Sequence, residues 1–159
     1  MKNVKVDIAP DAKKEIIEAI TQSLAETAVL TTKAQNFHWN VTGMAFGSLH
    51  ELFQKIYDDH FEGQDDLAER IKALEGHAEG RYSEFLKRSA VTESDGRISA
   101  NQMIEQLKAD EETLSGTLRA LAELADQHGD MVTNDLALER AHKHDKFAWM
   151  LRAHLQAVS

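Results

Sequence analysis

Four side chains able to bind a metal stand at informative separations in the chain: His38, His50, Asp65 and Glu69. Asp65 and Glu69 are one helical turn apart, so on a helix both carboxylates leave the same side. His38 and His50 flank the stretch Val41-Thr42-Gly43-Met44-Ala45-Phe46-Gly47, whose two glycines predict a turn between helices. A turn there brings the two imidazoles together. Two imidazoles and two carboxylates form a mixed nitrogen and oxygen set suited to iron or another divalent transition ion. The plain alternative for the acidic pair is a solvated polar helix face.

The spacing also restricts where such an ion could sit. On one helix running from about Ser48 to Glu75, His50 and Asp65 are about 22 Å apart along the axis, at 1.5 Å per residue. No single ion bridges that distance. Either the histidines and the carboxylates do not share a site, or the carboxylates come from a second copy of the chain. A two-fold axis across antiparallel helices would set the histidine end of one subunit against the Asp65 and Glu69 segment of its mate, giving two equivalent sites.

The elements that must position these groups follow from the apolar periodicity. A first helix is expected from Pro10-Asp11, with Asp11 as a cap, to about Asn40, burying Ile16, Ile17, Ile20, Leu24, Ala28 and Thr31. A second begins near Gly47-Ser48, with Ser48 and Glu51 as a capping box. It carries Leu49, Leu52, Phe53, Ile56, Tyr57, Leu67, Ile71 and Leu74 inward and ends at Gly76. Gly63 inside it is read either as a point of close approach by another helix, such as the two-fold mate, or as a tolerated exposed glycine. Tyr82 to Arg88 reads as a short helix in a long connection. Ser99 and Gln102 cap a third long helix with Met103, Leu107, Leu114, Leu118, Leu121 and Leu124 on its stripe, and Gly129 breaks it. A fourth follows from about Asp130, using Leu136, Leu138, Phe147, Leu151 and Leu155. The expectation is an all-α, single-domain chain over residues 1–159. It is a four-helix bundle with one crossover, a short extra helix between helices two and three, and a short flexible N-terminus over 1–9.

Composition agrees and narrows the function classes. The 159 residues include one proline, eight glycines and no cysteine, which excludes disulfides and thiolate metal sites. A formal charge of −9 disfavours broad attraction to nucleic acid or anionic lipid and favours collecting cations. No apolar run reaches the length of a membrane span, and the start lacks the apolar core of a secretory signal, so a cytoplasmic location is expected.

The segments Asn36-Phe37-His38-Trp39-Asn40-Val41, His50-Glu51-Leu52-Phe53 and Asp65-Asp66-Leu67-Ala68-Glu69-Arg70-Ile71 resemble the signature of the Dps family, the mini-ferritins. The likeness continues through Gly129-Asp130, Thr133-Asn134-Asp135-Leu136 and Trp149-Met150-Leu151. It implies a ferritin-like bundle assembled as a hollow dodecamer. It further implies ferroxidase activity: ferrous iron oxidised, preferentially by hydrogen peroxide, and stored as ferric mineral, which protects against oxidative stress. The family's iron site takes two histidines from one subunit and Asp plus Glu from its neighbour, roles that fall on His38, His50, Asp65 and Glu69. Trp39 matches a tryptophan near that centre, as an electron source or as interface packing. Where the family commonly carries Asp, four residues after the second histidine, this chain has Gln54. A neutral amide there weakens the second of two iron positions.

The resemblance also places Asp130, Asp135 and Glu139 along a pore on a three-fold axis, where repeated acids would draw in ferrous ions. The alternative is that they complement the dipole of a helix start. The other histidines, His60, His77, His128, His142, His144 and His154, show no partners at ligand spacing and are read as mostly surface residues without a metal role. DNA binding, the family's other activity, is expected to be absent or weak at neutral pH. The basic residues near the start, Lys2, Lys5, Lys13 and Lys14, are offset by Asp7 and Asp11, and Gln156-Ala157-Val158-Ser159 carries no basic side chain. The competing reading is a DNA-protecting structural particle with a vestigial metal centre.

Overall fold

A computed structural model of the chain describes residues 7–155. Lys2, Lys5, the first six residues of the N-terminal stretch and Gln156 to Ser159 lie outside the described residues. Five helices follow in order: α1 Pro10–Asn40, α2 Phe46–Ala73, α3 Tyr82–Arg88, α4 Ala100–Gln127 and α5 Met131–Leu155. No helix among the described residues is long and apolar enough to cross a membrane.

Short links make antiparallel neighbours, and two hairpins result, α1 with α2 and α4 with α5. The hairpins meet chiefly through α1 on α4, and α3 lies against α1. The crossover between α2 and α4 is tied back onto α1. Asn36 donates to the Ser94 carbonyl at 2.8 Å, and Gln22 donates to the Arg88 carbonyl at 2.9 Å. A buried ion pair, Lys33 with Asp110 at 2.8 Å, joins α1 to α4.

Local chemistry sets the helix ends. Proline opens α1, where its missing N–H costs nothing, but Asp11 lies inside the first turn and makes no cap bond. The expected Ser48–Glu51 capping box on α2 does not form. The helix starts earlier, at Phe46, and Ser48 donates instead to the Ala45 carbonyl. The box at α4 is present in full: the Ser99 hydroxyl accepts from the Gln102 N–H and the Gln102 side chain accepts from the Ser99 N–H. At the end of α4, Gly129 takes a left-handed φ of 72°, and the N–H groups of Gly129 and Asp130 close onto the Asp126 and Ala125 carbonyls. This six-to-one closure satisfies carbonyls that the helix cannot.

Ile16, Ile20 and Leu24 of α1, Phe53, Ile56, Leu67 and Ile71 of α2, Leu107, Leu114 and Leu118 of α4, and Leu151 of α5 fill the core. One sequence expectation needs correction. Leu138 is 51% exposed, because the inward stripe of α5 runs through Ala137, Ala141, His144, Ala148 and Leu151 and leaves position 138 outside it. Of the two readings of Gly63, close approach by another helix holds and the exposed one does not: the residue is buried, and the helix against it is α5. A Cβ at that position would collide with the guanidinium of Arg140 on α5, so the glycine makes room for a buried arginine of the same chain.

Two glycine substitutions therefore have opposite expected signs. Gly116 lies in α4 with open space around it, so Gly116→Ala should stabilise by about 0.5–1 kcal/mol through helix propensity alone. Gly63→Ala should destabilise by about 1–3 kcal/mol as the added methyl displaces Arg140. Denaturation midpoints of both variants check this, and a Gly63→Ala protein as stable as Gly116→Ala would contradict the packing account.

Candidate metal centre

The first helix delivers His38 in its last turn, and the second delivers His50 one turn after its start. The tight link between them folds the two rings face to face, with centroids 3.7 Å apart. Each ring is then held by the other's backbone: His38 Nδ1 lies 2.7 Å from the His50 carbonyl oxygen, and His50 Nδ1 lies 2.8 Å from the His38 carbonyl oxygen. A carbonyl only accepts, so both Nδ1 atoms carry hydrogen, and the neutral tautomer this selects keeps its lone pair on Nε2. Backbone bonds of this kind fix the tautomer and aim of a ligating imidazole. Phe46 stacks on His50 at 5.1 Å and Tyr57 stands edge-on to His38 at 5.2 Å, which limits ring rotation further.

Asp65 and Glu69 lie one turn apart on α2, both exposed. They share that one continuous helix with His50, so the distance between the histidine pair and the acid pair is fixed by the helix itself. Within one chain they are not brought together. Gln54 is exposed on the turn after His50. Exposed apolar side chains flank the histidines: Trp39 is 64% exposed, with Met44 and Phe46 beside the α1–α2 link, and Phe61, 68% exposed, stands about three turns farther along α2. Between α1 and α2 runs a groove of about 330 Å³ lined by Thr31, Gln35, Tyr57, Asp58, Phe61 and Gln64.

The pore candidates divide. Asp130 is 3% exposed, accepts from the Thr133 N–H at 3.0 Å and from its hydroxyl, and pairs with Arg70 at 2.9 Å. It caps α5 and fastens it to α2. Asp135 and Glu139 are exposed, one turn apart on α5.

The sequence reading missed a cluster in the bundle interior. His60 and His144, taken as surface residues, are fully buried and both contact buried Glu111. Burial alone pushes the His60 ring toward neutrality. The Glu111 charge and the hydrogen bonds to Asp59 and Glu111 outweigh it and hold its pKa above the ordinary value. Burial would also raise the Glu111 carboxyl, but the two facing imidazoles prevail and lower it. His144 is shifted down by burial and by repulsion from His60. A signal was available: each residue occupies an apolar-stripe position, His60 between Ile56 and Leu67, Glu111 between Leu107 and Leu114, and His144 between Ala141 and Ala148.

The helix order, the crossover and the histidine pair define a protein of the ferritin-like class. The family model described as Ferritin-like domain matches residues 17–159. The chain is 37% identical to DNA protection during starvation protein 2 of Bacillus anthracis, over 89% of this chain and 97% of that protein. Among solved structures, Dps from Staphylococcus aureus matches with a TM-score of 0.88 at 35% identity, covering 91% of this chain and 97% of that one. The DPS protein from Vibrio cholerae O1, described as a member of a superfamily of ferritin-like diiron-carboxylate proteins, matches with a TM-score of 0.90 at 29% identity, covering 94% of each chain. The chain belongs to the Dps family of ferritin-like proteins.

Proposed function

We propose that this chain is a ferroxidase and iron-storage protein whose oxidation centres form between subunits. One observation carries the reading: two imidazoles locked by reciprocal backbone bonds with both Nε2 atoms free, on the same helix as two exposed carboxylates they cannot reach. An isologous dimer in which antiparallel α2 helices cross supplies both halves twice. The exposed Trp39, Phe46 and Phe61 and the groove between α1 and α2 support a partner subunit on this face. A closed shell of such dimers is the dodecamer of the family, with the mineral inside.

Ferrous iron is the substrate. Carboxylates hold hard ferric iron, while neutral imidazoles bind ferrous iron and leave coordination positions open to the oxidant. Each centre is built for two ions. Two ferrous ions supply one electron each, hydrogen peroxide accepts both, and its oxygens leave as water after taking up two protons. No one-electron cleavage to hydroxyl radical intervenes. Gln54 brings no charge to the second position, so that position fills more weakly and the pair assembles more slowly. Trp39, next in sequence to His38, is an accessory electron source when a single ion is present. Asp135 and Glu139 line the iron-entry pore, with Asp130 holding the helix that presents them. The cytoplasm, where ferrous iron and peroxide meet DNA, is the proposed location.

The Bacillus anthracis relative is named for DNA protection. Here protection follows from removing ferrous iron and needs no contact with the duplex. The −9 charge of each subunit opposes such contact at neutral pH.

Complementation tests the shared centre. His50→Ala and Asp65→Ala should each abolish most peroxide-driven iron oxidation while leaving helicity and assembly intact. In cages reassembled from an equal mixture, about half the interfaces are mixed and each holds one intact centre of two, so about one quarter of the activity should return. Mixed cages no more active than either parent would contradict a site shared between subunits.

Iron entry has its own signature. Asp135→Asn with Glu139→Gln should slow uptake at low ionic strength, and the defect should shrink as salt shortens the field's reach to about 10 Å near 0.1 M. Initial uptake rates across a salt series measure this, and a defect independent of salt would overturn the pore assignment.

A further inference from the structure

The middle of the bundle holds a second set of ligand-type side chains, drawn from three helices. His60 comes from α2, Glu111 from α4 and His144 from α5, each with 0% of its surface exposed. One ligand atom from each lies within 4.8 Å of the other two. His60 Nε2 is 2.6 Å from one carboxylate oxygen of Glu111, and His144 Nδ1 is 2.5 Å from the other. We propose that His60, Glu111 and His144 form an intrasubunit site for a single divalent transition ion of the zinc type, separate from the interface histidines.

Two features point to a ligand. The first is the donor set: two imidazoles and one carboxylate are a standard three-residue set for zinc, with one position left for water. The second is the aim of His60. Its Nδ1 lies 3.1 Å from the Asp59 carboxylate and 3.3 Å from an Arg140 guanidinium nitrogen; with the ring donating to the nearer carboxylate, Nε2, facing Glu111, is the coordinating atom. Asp59 is in turn held by Arg140 at 2.8 Å, and Arg140 occupies the space that Gly63 leaves open. The helices thus supply a carboxylate–histidine support and a backing for it.

Stability does not call for the cluster. Leu, Ile and Ala occupy the stripe positions around it, and buried ionic groups are often matched or exceeded in stability by apolar ones of similar volume. An ion would instead join three helices at one point, beside the Arg140–Asp59 pair that already links α2 to α5. Arg140 offsets Asp59, so the charge the ion meets is that of Glu111. Entry displaces the proton His60 shares with Glu111, which leaves to solvent, and the Nδ1 proton of His144 moves to the ring's unpartnered Nε2, which frees Nδ1 to coordinate.

The test uses the full-length assembly carrying His38→Ala and His50→Ala, so the interface centre cannot contribute and the two sites succeed or fail separately. After chelator treatment, Co2+ and Zn2+ are added by incubation and, in parallel, during reassembly. The expected result is about one ion per chain, the intense visible absorption of four-coordinate Co2+, release of about one proton per ion and a higher Tm with Zn2+. His144→Leu should keep the helical fold and lose the absorption and the Zn2+ shift in Tm. Asp59→Asn should bind about 10- to 100-fold more weakly. Absence of near-stoichiometric binding in the parent, or undiminished binding in His144→Leu, would show a metal-free polar cluster and overturn the proposal.

Discussion

The rigidity of one helix governs the functional arrangement. α2 runs unbroken from Phe46 to Ala73, so the histidine at its start and the carboxylates near its far end are held apart by its own backbone hydrogen bonds. Side-chain rotation cannot close about 22 Å at 1.5 Å per residue. If all four groups serve one ion, the subunit is incomplete by construction, and association becomes part of the chemistry. The apolar side chains left exposed beside His38 and His50 are consistent with that demand, since an isolated monomer has no use for Trp39 and Phe46 in water.

Packing and site geometry are coupled at the two ends of the same helix. At the start, the turn after Asn40 places each histidine's carbonyl where the other's ring can donate, so the backbone that closes the hairpin also selects the tautomer. Farther along, Gly63 lets Arg140 reach Asp59, which steadies His60 inside the bundle. Beyond that, Arg70 ties α2 to the Asp130 cap of α5 and so sets where Asp135 and Glu139 emerge. One helix therefore orients three separate groups of charged or ligating residues.

Much of this was legible in the sequence, for physical reasons that differ by residue. The Ser99–Gln102 box could be read because capping is local chemistry at fixed spacing. The pairing of His38 with His50 could be read because two glycines flag a turn. Ser48–Glu51 carried the same local pattern yet lost to a helix that starts earlier, at Phe46. Leu138 misled because hydrophobicity was taken as burial, while α5 buries alanines, an arginine and a histidine. The reading of His60 and His144 failed for one shared reason: their common partner Glu111 lies 51 and 33 positions away, on another helix, and no local rule reports it. Asp130 had been weighed as both a pore acid and a helix-start acid, and its burial against Arg70 was invisible until the helices were packed.

The most direct measurement is a crystal structure of the assembly loaded with zinc as a redox-silent stand-in for ferrous iron, with the ion located by its anomalous scattering. The account predicts an ion at about 2.0–2.2 Å from imidazole Nε2 of His38 or His50 in one subunit and from a carboxylate oxygen of Asp65 or Glu69 in its neighbour. An ion held at those histidines by one subunit alone, or subunits joined so that the acids face away from them, would contradict it.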